Sequence, residues 1–174
     1  EEKFGIQKAM MTTIHAYTAE QNLVDGAPPS LHKDLHRARA AGVNIVPTTT
    51  GAAKTTGEVI PGLAGIFDGL AVRVPVVCGS LSDFTLLLKK KVTVDEGNKA
   101  FIEAAESARY RKIVAVSPEP LVSTDIIKNP HSAIVDLSLT RVVDGDLVKV
   151  VAWYDNEWGY SNRLVELAVL VGAQ

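Results

Sequence analysis

The sequence predicts an α+β fold in which a mixed, mostly antiparallel sheet packs against helices. Three observations carry the prediction: strand patterns outnumber helical ones, Asp144-Gly145 is a hairpin turn signal, and helices fall between strands at irregular intervals. The 174 residues fit one domain, spanning 1–174. No strand is followed by GxGxxG and a helix, so the chain carries no Rossmann domain.

The first half of the chain alternates strands with a long loop. Met10 to Ala16 is apolar-rich and β-tolerant, which predicts a strand. Turn formers break the pattern from Tyr17 to His36, and a loop of that length is often functional. After it come a short apolar stretch at Val43 to Pro47, a helix at Gly51 to Ile60 that Pro61 ends, and strands at Leu70 to Val77 and Ser82 to Val92.

The second half opens and closes with a helix. Thr93 and Glu96 have the spacing of a capping box, and the apolar residues that follow suit one helix face. Leu147 to Tyr154 is expected to pair back across the Asp144-Gly145 turn. The remaining predicted elements are strands at Lys112 to Val116 and Ala133 to Val143, and a helix from about Tyr160 to Val171.

Composition and charge exclude several classes of protein. Hydrophobic residues make up 47% and charged residues 22%, which excludes intrinsic disorder. A net charge of −2 argues against a nucleic-acid partner, and no apolar run approaches the roughly 20 residues of a membrane helix. One cysteine excludes a disulfide scaffold, and there is no signal-peptide pattern, so we expect a cytoplasmic protein.

Two polar segments near the long loop are candidates for chemistry. His15 lies at a strand end that faces the loop, which suits a general base; a purely structural histidine is the alternative. The hydroxyls and glycine of residues 47–54 precede a helix start, where free N–H groups and the helix dipole favour an anion. Plain N-capping by a threonine is the alternative there.

Two further segments are unusually polar or aromatic. Arg73 lies inside an apolar strand, which is costly without a carboxylate or phosphate partner. Arg37 and Arg39 could join it, with internal salt bridges as the alternative. Residues 153–162 crowd aromatic, amide and acidic side chains between a strand and a helix, which fits a binding site or a packed domain interface.

Two tempting features are discounted. Cys78 follows apolar residues at a strand end, which predicts a small buried hydrophobe rather than a nucleophile. The histidines have no metal-ligand spacing, so no metal site is expected.

Five motifs occur together in one order along the chain: TIHAYT (13–18), RARAA (37–41), NIVPTTTGAAK (44–54), AVRVP (71–75) and WYDNEWGYSN (153–162). Together they resemble the catalytic domain of the phosphorylating glyceraldehyde-3-phosphate dehydrogenases, from about Phe4 almost to the C-terminus. Any one motif alone would be weak, but all five in the family's order are highly specific.

The resemblance implies a glycolytic reaction and roles for named residues. In this family a cysteine thiolate attacks the aldehyde, hydride passes to NAD, and phosphate attacks the resulting thioester to give 1,3-bisphosphoglycerate. His15 matches the base. The other matching residues are Thr18, Glu20 and Arg73 for the substrate's phosphate, Thr50, Gly51 and Arg37 for inorganic phosphate, and Asn156 and Tyr160 for the cofactor.

The resemblance also implies partners. The intact protein is expected to be a homotetramer that binds glyceraldehyde 3-phosphate, phosphate and NAD, or NADP in its place. Residues 17–41 match the S-loop, which lines a neighbouring subunit's cofactor site, and they carry extra residues at Ala27-Pro28-Pro29-Ser30-Leu31.

The family's nucleophile motif, Ser-Cys-Thr-Thr-Asn, and its N-terminal NAD-binding domain would lie upstream of Glu1. We therefore expect the isolated chain to be inactive. Two alternatives stand beside this interpretation: a related dehydrogenase of phosphorylated aldehydes, such as erythrose 4-phosphate, and a non-catalytic phosphate-binding assembly module.

Overall fold

The chain is described by a computed structural model over residues 1–28 and 33–173. The eight strands of this part are β1 Ile6–Ala16, β2 Val46–Thr48, β3 Phe67–Val74, β4 Ser80–Leu88, β5 Val114–Ser117, β6 Ala133–Asp136, β7 Arg141–Val143 and β8 Leu147–Tyr154. The α-helices are α1 Ala52–Val59, α2 Val94–Glu106 and α3 Trp158–Gly172, and 3₁₀ turns cover Leu35–Ala38, Pro61–Leu63 and Leu137–Leu139.

All eight strands belong to one mixed sheet, in the order β2-β3-β1-β4-β8-β6-β5, with β7 also paired to β8. Two pairings are parallel, β1 with β3 and β5 with β6. The other five pairings are antiparallel. The predicted α+β class with a mostly antiparallel sheet is therefore confirmed, and the sheet is not a doubly wound Rossmann sheet.

Strand β1 lies in the interior of the sheet, between β3 and β4. Its parallel pairing with β3 ends at His15 opposite Arg73 and Ala16 opposite Val74. Gly69 permits this close pairing, because a Cβ at that position would lie 2.5 Å from the carbonyl oxygen of Met11. The two candidate residues of β1 and β3 are thus neighbours at the same end of the sheet.

Helices α2 and α3 differ in how much of their apolar surface packs against the rest of the chain. Helix α2 begins with the predicted capping box, in which Thr93 Oγ1 accepts from the Glu96 N–H and the Glu96 carboxylate accepts from the Thr93 N–H. Its Phe101 packs against the core cluster that includes Val148 and Val150. Helix α3 leaves the apolar side chains between Leu164 and Val171 largely exposed. None of the helices among the described residues is long and apolar enough to span a membrane.

Several predicted boundaries are wrong. The strand expected at Ala133 to Val143 breaks after Asp136, because the Asp136 carboxylate accepts from the Ser138 N–H and Oγ and turns the chain into a 3₁₀ turn. Strand β4 ends at Leu88 rather than at Val92, where the N–H donates instead to the Gly145 carbonyl. Strand β3 runs from Phe67 and ends before Pro75.

The loop and turn predictions have mixed outcomes. Asp144 and Gly145 both adopt positive φ, 48° and 82°, as the hairpin turn signal implies. The long loop contains the 3₁₀ turn Leu35–Ala38. Of the extra residues expected in it, Pro29, Ser30 and Leu31 lie outside the described residues.

Candidate active site

His15 and Arg73 form the centre of the candidate site. Arg73 Nη1 lies 2.6 Å from His15 Nδ1 and donates to the Ala16 carbonyl at 3.3 Å. Arg73 is only 9% exposed although it sits within an apolar strand. Its own pKa is lowered by burial and by the nearby charge of Arg37. The alternative prediction for Arg73 was an internal salt bridge. None of the ion pairs among the described residues includes Arg73.

The environment of His15 favours a neutral imidazole. Burial is the largest cause that lowers its pKa, and the charges of Arg73 and Arg37 lower it further. A hydrogen bond to Ala16 acts in the opposite direction and raises the pKa, but it does not outweigh the other causes. Nδ1 also lies 2.6 Å from the Ala16 carbonyl oxygen. Arg73 Nη1 can only donate and the carbonyl can only accept, so Nδ1 makes a hydrogen bond to one of them at a time. When Nδ1 carries the proton and donates it to the Ala16 carbonyl, the lone pair on Nε2 is the one left for proton transfer. This tautomer is the one that a general base requires.

A buried hydroxyl cluster lies next to the imidazole. The Tyr154 ring meets the His15 ring edge-on, with centroids 6.0 Å apart. Burial raises the pKa of Tyr154, against the opposite effect of hydroxyls from Ser82, Thr13 and Ser80. Thr13 Oγ1 and Ser82 Oγ are themselves 3.1 Å apart. Sequence reasoning missed Tyr154, although it lies inside the fifth motif; only the fold brings it to His15.

The start of the long loop follows directly after the strand end that carries His15. Thr18 and Gln21 close a small turn, since the Thr18 N–H donates to Gln21 Oε1 at 3.2 Å and the Gln21 N–H donates to the Thr18 carbonyl at 3.0 Å. Gln21 is a second buried residue that sequence reasoning missed. Its spacing of three residues from Thr18 is the signal that could have indicated the turn.

Several buried polar atoms here have no hydrogen-bond partner among the described residues. They are Thr18 Oγ1, Gln21 Nε2, Arg37 Nε and Arg73 Nε. Buried unsatisfied groups of this kind are uncommon, and in a native site they call for a ligand or an ordered water. Two guanidinium groups with a hydroxyl and an amide fit an anion such as phosphate.

Arg37 connects the two predicted phosphate positions. It is 4% exposed, and its Nη1 donates to Glu20 Oε2 at 2.9 Å while its Nη2 donates to the Thr49 carbonyl at 3.2 Å. The resemblance groups Glu20 with Thr18 at the substrate's phosphate, yet its carboxylate accepts from Arg37, which is predicted to bind the other phosphate. The salt-bridge alternative for Arg37 and Arg39 is also realised, because Arg39 Nε donates to Asp25 Oδ1 at 3.1 Å.

Thr50 and Gly51 lie at the start of helix α1. Gly51 is the N-cap and makes no side-chain cap bond, while Thr50 Oγ1 accepts from the Ala52 N–H at 3.2 Å. Thr50 therefore already performs part of the capping that was its alternative role. A Cβ added at Gly51 would meet nothing within 4 Å, so the helix start faces open space. An anion can approach the first N–H groups of α1 there.

Asn156 is tied to the same end of the sheet, whereas Tyr160 is a largely exposed residue of helix α3. Asn156 Oδ1 accepts from the Gly79 N–H at 3.2 Å and from Ser80 Oγ at 3.3 Å. Ser80 Oγ also accepts from the Ala16 N–H, which links Asn156 to the neighbour of His15. The Tyr160 side chain is 69% exposed. One N–H of the Asn156 amide donates to Glu157, so the second N–H is available for a carboxamide ligand.

Cys78 lies in the turn after β3 and is half-buried, whereas the sequence predicted a small buried hydrophobe. Burial and bonds to Glu157 and Asp155 raise its pKa to about 12, so the thiol stays protonated at neutral pH. The three side chains lie within 4.8 Å of one another, a spacing that could hold a metal. Asp155, however, accepts backbone N–H bonds at both oxygens, from Glu157 and Trp158 at one and Lys128 at the other.

The aromatic motif at residues 153–162 therefore has mixed roles. Trp153 packs in a small core with Ile126 and Ile134, and Tyr154 meets His15. Burial alone would raise the pKa of Asp155, but the N–H bonds from Trp158, Lys128 and Glu157 hold it below its ordinary value. Asp155 thus fixes the turn that carries Asn156 into helix α3.

Comparisons with known proteins identify the family of the chain. The protein family described as "Glyceraldehyde 3-phosphate dehydrogenase, C-terminal domain" matches residues 1–156. Glyceraldehyde-3-phosphate dehydrogenase of Mycobacterium tuberculosis H37Rv is 57% identical over 172 residues, covering 99% of this chain and 49% of that protein. The enzyme of that name from Streptomyces coelicolor is 52% identical over 174 residues, covering 100% of this chain and 51% of the relative. The chain thus spans about half the length of the curated relatives it matches.

Proposed function

Because the chain belongs to the glyceraldehyde 3-phosphate dehydrogenase C-terminal domain family, we propose that it is the catalytic domain of a glycolytic, phosphorylating oxidoreductase. The intact enzyme oxidises glyceraldehyde 3-phosphate with NAD or NADP and inorganic phosphate to give 1,3-bisphosphoglycerate. The observation that carries the proposal is the group of unsatisfied buried donors on Arg73, Arg37 and Thr18 beside a neutral His15.

His15 is the general base of this proposal. Its Nε2 takes the proton of the attacking cysteine thiol, and the resulting thiolate adds to the aldehyde carbon. Bound NAD would supply the hydride acceptor that conversion of the adduct to a thioester requires. Phosphate oxygen then attacks the thioester carbon, and the thiolate leaves as the acyl phosphate forms. A lowered pKa keeps His15 unprotonated for the first proton transfer.

Two anion positions flank His15 in the proposal. Arg73 and Thr18 hold the substrate's own phosphate, which suits their buried, unsatisfied donors. Arg37, Thr50 and Gly51 hold the attacking phosphate at the start of α1. The Glu20 carboxylate accepts from Arg37 and neutralises part of its charge, which offsets the repulsion between Arg37 and Arg73.

Asn156 and Tyr160 are the chain's proposed contribution to the cofactor site. The free amide N–H of Asn156 suits the nicotinamide carboxamide, and the exposed Tyr160 ring offers a flat surface beside it. Most of the cofactor site belongs to the N-terminal domain of the intact protein. The exposed apolar side of α3 supports packing against that domain, in a cytoplasmic homotetramer.

The nucleophile is proposed to lie outside this chain, because its single cysteine is Cys78. The test compares NADH formation by the intact protein, its Cys78→Ser variant and the 174-residue chain. We expect activity in the first two and none in the third. Loss of activity in Cys78→Ser, or cysteine-dependent activity of the chain alone, would overturn this assignment.

The same assay separates the alternatives. A requirement for inorganic phosphate is expected from the second anion position, whereas an erythrose 4-phosphate dehydrogenase of this fold lacks that requirement. A non-catalytic assembly module would give no NADH with either aldehyde and would self-associate in sedimentation without its N-terminal partner.

A further inference from the structure

The backbone of Thr49 is held by two side chains of one loop turn. Thr48 is the last residue of β2 paired with β3, so the sheet does not hold the next peptide. The Thr49 N–H donates to Asp34 Oδ2 at 3.0 Å, and the Thr49 carbonyl accepts from Arg37 Nη2 at 3.2 Å. Both polar groups of that residue are therefore fixed from outside the sheet.

Asp34 also organises the turn that carries Arg37. It is the N-cap of the 3₁₀ turn Leu35–Ala38, where its Oδ1 accepts from the His36 N–H at 3.1 Å. The Arg37 N–H donates to the Asp34 carbonyl at 3.2 Å. The Asp34 carboxylate thus links two segments: the turn that carries Arg37, and Thr49, the residue that precedes Thr50.

We propose that Asp34 is a positioning residue for the attacking phosphate: it holds Arg37 and the Thr50–Gly51 helix start in the relative placement that one anion needs. The inference rests on the proposed function. Asp34 itself touches no phosphate, because a carboxylate would repel it. Its effect passes through the backbone of Thr49 and through the turn.

The chemistry of the contacts requires a carboxylate at this position. Four donors converge on its two oxygens: His36 N and Nδ1 on Oδ1, and Thr49 N and Oγ1 on Oδ2. An asparagine offers one oxygen and would point an NH₂ group at one pair of these donors. The Asp34 side chain is 9% exposed. Burial raises its pKa, but the bonds from Thr49 and His36 outweigh that effect and lower it to about 2.

The test uses the intact enzyme with Asp34→Asn and Asp34→Ser. Serine can still cap the turn at the His36 N–H but is too short to reach Thr49, so it separates the two contacts and serves if the asparagine variant does not fold. We expect the KM for inorganic phosphate to rise about tenfold or more in both. The KM values for the aldehyde and NAD, and kcat at saturating phosphate, stay within about twofold.

The matched control is His36→Ala, which removes one donor to Asp34 Oδ1 and leaves the Thr49 contact in place. Its phosphate KM is expected to stay within about twofold of wild type. An unchanged phosphate KM in Asp34→Ser, or a parallel rise of all three KM values, would overturn the positioning role. If wild type needs no phosphate, the proposed function fails and this inference fails with it.

Discussion

His15 and Arg73 face each other at the ends of two parallel strands, with His15 Nδ1 2.6 Å from Arg73 Nη1. Arginine does not lose its proton in proteins, so a buried guanidinium beside an imidazole penalises the charged imidazolium. Burial adds to that penalty and is its largest cause. The pair therefore combines a fixed positive charge with an imidazole whose pKa is held below its ordinary value.

Replacing Arg73 should move the acid limb of the enzyme's pH profile. In Arg73→Ala of the intact enzyme, the pKa of His15 is expected to rise, because a positive neighbour is lost and water enters. The acid limb of kcat/KM then shifts to higher pH, and the KM for the aldehyde rises. Arg73→Lys keeps a positive charge and should retain most of the wild-type profile. An unshifted acid limb in Arg73→Ala would contradict the link between these residues.

The lowered pKa of His15 predicts how the free energy of unfolding depends on pH. His15 has a lower pKa in the folded state than in the unfolded state. Below the ordinary value of about 6.5, the unfolded state therefore binds more protons. The contribution of His15 to stability is complete above that pH, and it is lost as the pH falls towards and through the pKa of His15 in the folded state. His15→Gln should flatten this part of the curve in urea titrations between about pH 5 and 7, and an equal slope in both proteins would contradict it.

Threonine-to-valine variants should separate the two anion positions. Thr18→Val removes an unsatisfied hydroxyl and should raise the KM for the aldehyde about tenfold or more, because a hydrogen bond to a charged group contributes roughly 1.5–3 kcal/mol. Thr50→Val should raise the KM for inorganic phosphate instead, with a loss of about 1 kcal/mol in stability from the lost Ala52 bond. Steady-state kinetics with each substrate varied in turn measures both. Equal effects on both KM values would contradict the assignment.

Cys78 should react slowly with thiol reagents. A pKa of about 12 leaves roughly a thousandfold less thiolate than a free cysteine has at neutral pH. Alkylation of the intact protein by iodoacetamide, followed at the Cys78 peptide by mass spectrometry, should be correspondingly slow. Glu157→Gln removes one nearby charge and should accelerate the reaction in part, since burial is the larger cause. Fast labelling of wild type would refute the raised pKa.

Gly79→Ala should disturb both stability and the cofactor position. Gly79 has φ of +92°, and a Cβ there would lie 2.4 Å from the Ser123 carbonyl oxygen. We expect a loss of about 2 kcal/mol or more in urea unfolding, together with a higher KM for NAD, because the Gly79 N–H binds Asn156. Gly62→Ala is the matched control, since a Cβ there meets nothing within 4 Å. Equal losses in both variants would contradict the steric argument.

Short sequence patterns correctly predicted the elements that interactions between nearby residues determine. Strand β8 has the predicted bounds, Leu147–Tyr154, and the Thr93 capping box forms as its spacing indicated. The strand expected up to Val143 breaks where Asp136 accepts from Ser138 nearby and from the Trp153 indole N–H, 17 residues away. That second bond is a tertiary contact, which no short pattern can reveal.

The candidate site likewise combines residues that sequence motifs indicated with contacts that only the tertiary structure creates. Motifs identified His15, Thr18 and Arg73, and the parallel register brings two of them together. The pairing of Glu20 with Arg37 joins residues 17 positions apart, in a loop whose path depends on the sheet beneath it. The role of Asp34 is likewise invisible in the sequence, because its second oxygen binds Thr49 from a different segment.

Strand β1 is hydrogen-bonded along both edges, to β3 and to β4, and its last two residues include His15, the proposed base. Thr18, Glu20 and Arg37 stand instead on the connection that leaves this strand. In the proposed function, strand β1 thus carries proton transfer, whereas anion recognition is divided between Arg73 on strand β3 and the residues of the connection. If that proposal holds, substitutions in the connection are expected to change which phosphorylated substrate binds, while the pairing of β1 with β3 and β4 keeps His15 in register. A designer who wishes to change specificity should therefore diversify the loop and leave the strand untouched.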